Sequence, residues 1–310
     1  MFSLNFRVRS KQNGGKLMAL FDWGTYNGLT KLEKASLTGM RLTEIPPADF
    51  SRRWYTEDYF KQYNELASKY FVLITAHAPY YSLVNHDQYT HNKVKKAMVQ
   101  AAKRARIAGA KIFNMHLGAK VRGVPYDYEP VVDVVKAILS EVPDIYVSLE
   151  TTYTARFLGS LKEIKEIIEM VGDERVIPSA QLENDFMREL KVYEHGNIAA
   201  ADKEATVDFW LNILNELKKM TNKFFSLRFS QIIAFRFRTF ILKKRTPLGK
   251  GYPSLEPLAE ALALFLTRDL YYAGANLEAH LIYTGPWQYK YKDTVKLYCT
   301  VMDRATAYIK

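Results

Sequence analysis

Short apolar runs alternate with longer amphipathic stretches along this chain of 310 residues. The runs at 17–22, 40–45, 71–77, 111–116, 145–150, 176–181, 224–230 and 279–284 are apolar on both faces. That pattern predicts strands of a parallel sheet covered on both sides. Between them, helical periodicity predicts helices over 29–38, 56–69, 92–108, 130–140, 160–170, 203–220, 255–267 and 292–307. Thr56 reads as an N-cap, with Glu57 and Asp58 in the first turn where the helix dipole favours acids. Ser160 and Glu163 read as a capping box, and Gly109 as a left-handed helix stop. Eight strand–helix pairs in about 290 residues predict an α/β fold, a (β/α)8 barrel, as a single domain over 1–310. The alternative, an open doubly wound sheet, calls for a glycine-rich phosphate loop after the first strand, and the sequence has none. The longest irregular stretches, 184–201 and 231–254, have the length of functional lids or insertions.

Composition narrows the class. With 48% hydrophobic and 25% charged residues the chain is a folded globular protein. A single cysteine, Cys299, excludes an intramolecular disulfide, a cysteine-rich zinc module and a thiolate iron–sulfur cluster within one chain; Cys299 is expected as a packed thiol in the last helix. No run of eighteen apolar residues is present, so no membrane span is expected. The basic start lacks the apolar core of a secretory signal, which predicts a cytoplasmic protein.

Charge is concentrated. Residues 1–20 carry Arg7, Arg9, Lys11 and Lys16 without an acid, and 221–252 carry eight cations without an acid, against a net charge of +11. Such clusters suit a polyanion, a nucleic acid above all. A solvated basic surface is the alternative.

In a barrel, a polar residue that ends a strand faces the catalytic mouth. His77 in TAHAPYY, His116 in IFNMHLGA and Glu150 in VSLETTYT end three successive strands. Two imidazoles and a carboxylate are the donor set of a catalytic zinc site with an open fourth position. A metal-free hydrogen-bonded cluster is the alternative.

These motifs resemble the endonuclease IV group of apurinic/apyrimidinic endonucleases, within the xylose-isomerase-like barrels. TGMRLTEI, KRARIAG and DTVKLY extend the resemblance through most of the chain. It implies DNA repair chemistry, with nine ligands holding three zinc ions. His77, His116 and Glu150 match the first three ligands. At the other six places stand Gln181, Asn184, Ser226, Leu242, Arg245 and Thr284, with Arg228 two residues beyond Ser226. The resemblance therefore implies at most one zinc, with Glu150 the catalytic group if the protein is active. Arginines near the lost ligands convert a metal–phosphate site toward an arginine–phosphate site, since a guanidinium binds phosphate bidentately.

Further candidates surround the mouth. Tyr80 and Tyr81 could stack on a base or sugar, or one could pack under the rim. Lys120 and Arg122 are candidate phosphate contacts, as are Arg228, Arg236, Arg238, Lys243, Lys244 and Arg245. The alternation Phe235–Phe240 predicts a strand or hairpin that buries its phenylalanines and offers Arg236 and Arg238, as a nucleic-acid arm or a protein-docking strand within 231–254. Trp287 is expected to pack the last helix onto the barrel. Three readings follow. The first is a nucleic-acid-binding barrel, DNA before RNA, without three-zinc cleavage. The second is a metal-dependent enzyme, either a reduced nuclease or a sugar isomerase or epimerase. The third is a scaffold.

Overall fold

The computed structural model describes residues 21–309 apart from 53, 54, 85, 86, 121–126, 239, 275 and 276. The basic segment 1–20 and Arg122 lie outside the described residues. Eight parallel strands close a barrel: β1 (Phe21–Tyr26), β2 (Leu42–Ile45), β3 (Leu73–His77), β4 (Ala110–Met115), β5 (Tyr146–Glu150), β6 (Val176–Gln181), β7 (Phe224–Phe229) and, after an inserted hairpin, β10 (Glu278–Tyr283). Around the wall the order is β1-β10-β7-β6-β5-β4-β3-β2. The fold is a single (β/α)8 barrel, as expected.

Each crossover helix buries one stripe against the wall. Helix Leu161–Val171 shows the logic. Ser160 and Glu163 form the expected capping box, Gly172 stops it in the left-handed region, and Ile164, Ile167 and Val171 are buried. Each such side chain contributes about 1.5–3 kcal/mol of burial. Gly109 takes positive φ as expected. Thr56 occupies an N-cap but makes no side-chain cap bond. The expected strand 17–22 overlaps β1 at Phe21 and Asp22, and its residues 17–20 lie outside the described residues. The strand continues to Tyr26, four residues further than expected, because Gly24 lets β1 approach Leu42 so closely that a Cβ would stand 1.7 Å from its carbonyl oxygen.

The stretch 231–254 is not irregular. It holds an antiparallel hairpin, β8 (Gln231–Phe237) and β9 (Phe240–Thr246), inserted between β7 and helix Leu255–Leu264. The stretch 184–201 lies largely in helix Leu182–Glu189 and two short helices that follow. Cys299 is exposed on helix Lys290–Tyr308, not packed, and Trp287 is 53% exposed with Lys290 Nζ 3.4 Å from its ring centre. Among the described residues no helix is long and apolar enough to cross a membrane.

Candidate metal and anion site in the barrel mouth

Alternation along the strands turns His77, Glu150, Gln181 and Arg228 inward at the C-terminal end of the wall, and His116 follows β4 by one residue. They line a cavity of about 700 Å³, together with Tyr80, Lys243 and Arg245. The sequence expects three of these groups, His77, His116 and Glu150, at successive strand ends, and the structure brings them together. His77 Nε2 lies 3.3 Å from Glu150 Oε2, and His116 Nε2 lies 3.4 Å from Glu150 Oε1. The donor atoms of the trio all lie within 4.8 Å of one another.

The donor chemistry fits a cation. His77 Nδ1 is 2.8 Å from the Ala78 carbonyl, so Nδ1 carries the proton and donates. That leaves Nε2 as the nitrogen that faces the Glu150 carboxylate, the one a metal ion would take. Burial pushes the His116 pKa down to about 4 against the pull of Glu150, so its imidazole is neutral at pH 7 and available as a ligand. Two ligands about 2.0–2.1 Å from a tetrahedral zinc stand roughly 3.3–3.4 Å apart, which is the spacing of both histidines from Glu150. Burial disfavours the Glu150 charge, but His116, Arg228 and His77 outweigh it and hold the carboxyl well below its usual range. Asn114 Nδ2 donates to Glu150 Oε2 and accepts at Oδ1 from Ser148 Oγ at 2.8 Å, which fixes the carboxylate.

The arginines divide. Arg228, expected to offer its guanidinium to a phosphate, is 3% exposed and spends both terminal nitrogens on Glu44, with Nη2 2.6 Å from Oε1. Its Nε faces Glu150 Oε2 at 3.3 Å. It is an internal counter-ion for two buried acids. Glu44 stands one residue before the end of β2, where the strand-end rule does not pick it out, and its partner lies 184 residues away, so the sequence did not mark the pair. Lys120 is likewise engaged, 10% exposed at its side chain and paired with Glu163.

Pairing in the hairpin puts Arg245, Lys243 and Arg236 on the face that carries buried Ile232. Lys243 Nζ donates to Asn184 Oδ1 and lies 3.8 Å from Glu183 Oε1, which is itself held by Gln181 and Ser230. Burial pushes the Lys243 pKa down. Arg245 lines the cavity, is exposed, and has no acid partner among the described residues. The other hairpin face reverses the expectation: Phe235, Phe237 and Phe240 are 44%, 54% and 40% exposed, and Lys244 shares their side. Arg236 and Arg238 are exposed, the latter at φ 53° in the tip. Neither Tyr80 nor Tyr81 packs under the rim; they are 66% and 41% exposed. Tyr80 leans over both imidazoles, with ring centres 5.2 Å from each.

The cavity walls thus carry an ion-pair network, a metal-competent trio and one unpaired guanidinium, and the fold around them has relatives. Residues 32–179 match the family model described as xylose isomerase-like TIM barrel. The uncharacterized protein MJ1455 of Methanocaldococcus jannaschii is 40% identical over 290 residues, which cover 93% of this chain and 92% of that protein. Endonuclease IV from Thermus thermophilus superposes with a TM-score of 0.62 at 12% identity, covering 92% of this chain and 99% of that one. A D-psicose 3-epimerase with D-tagatose from Clostridium cellulolyticum superposes with a TM-score of 0.58 at 12% identity, covering 94% and 96%. At these identities the solved structures share the fold, and the family match and the close archaeal relative together place this chain in the family of xylose isomerase-like TIM barrels.

Proposed function

We propose that the barrel mouth binds one divalent metal ion and a phosphate-bearing ligand of nucleotide size, without three-metal phosphodiester cleavage. The observation that carries this reading is Arg245, an unpaired cation lining the same cavity as His77, His116 and Glu150. Those three residues would hold the ion, which would supply Lewis-acid attraction for an anionic oxygen. Arg245 orients the phosphate, and Lys243, steadied by Asn184 and Glu183, adds a second donor. Tyr80 offers a stacking face at the rim. Arg228 opposes a multi-metal cluster. A guanidinium cannot ligate a metal, and it stands against Glu150, the carboxylate that further ions would need. The phosphate bearer the basic hairpin favours is a nucleic-acid strand, DNA before RNA, with Arg236, Arg238 and Lys244 touching its backbone.

A second reading, an enzyme acting on a free sugar or sugar phosphate, is favoured by the cavity volume, which lies in the range that encloses small ligands. One experiment separates the two. The zinc-loaded protein is titrated with abasic duplex, intact duplex and a sugar phosphate at about 50 mM salt. The expected result is tighter binding of the abasic strand, weakened at least roughly tenfold by Arg245→Ala, with no turnover. Binding of the sugar phosphate alone favours the second reading. Multiple-turnover cleavage abolished by Glu150→Gln, or no binding of any of the three, overturns the proposal.

A further inference from the structure

A second cluster sits at the opposite end of the barrel, and nothing in the mouth uses it. Asp22 on β1 and His280 on β10 are register partners across the seam where the first and last wall strands close the barrel. Glu278 precedes His280 by two residues, so its side chain lies on the same side of β10. His280 Nε2 is 3.8 Å from Glu278 Oε2 and 3.9 Å from Asp22 Oδ2, and the three donor atoms lie within 4.8 Å of one another. His280 is 2% exposed, yet among the described residues neither ring nitrogen has a hydrogen-bond partner. Its ring packs against Phe224, centre to centre 5.3 Å.

Buried imidazoles rarely leave both nitrogens unsatisfied. The two carboxylates do not satisfy Nε2, because 3.8–3.9 Å is beyond hydrogen-bond reach. Ligands about 2.1–2.2 Å from one shared ion stand roughly 3.4–3.8 Å apart at tetrahedral to trigonal angles, so the observed 3.8–3.9 Å lies at the wide end of the spacing around a common cation.

We infer that Asp22, Glu278 and His280 form a binding site for a divalent transition-metal ion that staples β1 to β10. One imidazole with two carboxylates is a donor set of the zinc, manganese and iron class. Arg41 Nε, 3.1 Å from Asp22 Oδ1, holds the far oxygen and leaves Oδ2 toward His280. Arg41, with Lys223 and Lys111 acting on Glu278, offsets part of the acid charge, which sets the site up for moderate affinity. The ion's role is structural. It ties the two strands that only tertiary contact joins, and it stands apart from the mouth.

Zinc content and thermal stability of the full chain test this. The native protein binds about two zinc ions and His77→Gln/His116→Gln about one, and adding His280→Gln to that pair removes the remaining ion. Zinc raises the Tm of the double variant and leaves that of the triple variant unchanged. A double variant that binds no zinc overturns the inference, and so does a triple variant that still binds it. Where His280→Gln fails to fold, Glu278→Gln is introduced instead, since that side chain is 49% exposed. It weakens zinc binding at least roughly tenfold in the double variant. Unchanged affinity overturns the inference.

Discussion

Arg228 on β7 crosses the barrel interior to grip Glu44 on β2 with both terminal nitrogens, although β10 and β1 separate the two strands around the wall. Burial works against the guanidinium charge, but Glu44 and Glu150 outweigh it and hold the pKa above its usual value. The pair spans the barrel interior and occupies both terminal nitrogens of Arg228.

Removing Arg228 strands two buried carboxylates. Arg228→Met is expected to cost about 3–5 kcal/mol in urea unfolding, because an uncompensated buried charge is worse than no pair. Arg228→Met/Glu44→Gln is expected to recover a substantial part of that loss. A single-variant cost near zero contradicts the assignment of Arg228 as an internal counter-ion.

Glu163 ties the loop beside the mouth to its helix. It accepts from Gly159 N at 3.0 Å and Ser160 N at 2.8 Å, and it pairs with Lys120 and Arg188. Burial raises its pKa, but Lys120 and the two backbone donors overcome that and hold it below 4.5. A depressed carboxylate pKa contributes stability that is present above the unfolded value and lost as pH falls through the folded one. Glu163→Gln is expected to lower stability by about 1–3 kcal/mol at pH 7. The variant is also expected to lose less stability than the native chain below pH 4.5. Parallel pH profiles of Tm for the two proteins contradict this.

Gly118 joins the two loops that carry the histidines. At φ 109° its added Cβ would stand 2.6 Å from Ser82 Cα, and its carbonyl accepts from Leu158 N at 3.0 Å. Gly118→Ala is expected to cost about 2 kcal/mol or more through strain and backbone displacement. It also spreads His77 from His116, so zinc affinity at the mouth falls. Thermal unfolding and calorimetric zinc titration check the two effects, and unchanged zinc binding contradicts the loop's positioning role.

The barrel was legible because its strands are buried on both faces and its helices carry one apolar stripe. The observed ends of β3, β5 and β6 at His77, Glu150 and Gln181 coincide with the ends of apolar runs. The continuation of β1 to Tyr26 was not legible, since Gly24 and Asp22 read as strand breakers until the close approach to Leu42 and the seam partner His280 are known. The trio His77, His116 and Glu150 could be read because one rule, a polar residue ending a strand, applies to each separately. Glu44, one residue short of the end of β2, escapes that rule, and its meaning lies in a partner that only closure of the barrel supplies. The hairpin misled because alternation fixes which residues share a face, not which face turns to solvent. Here Ile232 is buried, and the phenylalanines take the outer side.

Crystals soaked in zinc and measured at the zinc absorption edge test the central claim most directly. One anomalous peak in the mouth is predicted, bounded by His77, His116 and Glu150, with Arg228 still bound to Glu44 and any other peak confined to the seam at His280. A cluster of three peaks around Glu150, or a mouth with none, contradicts the account.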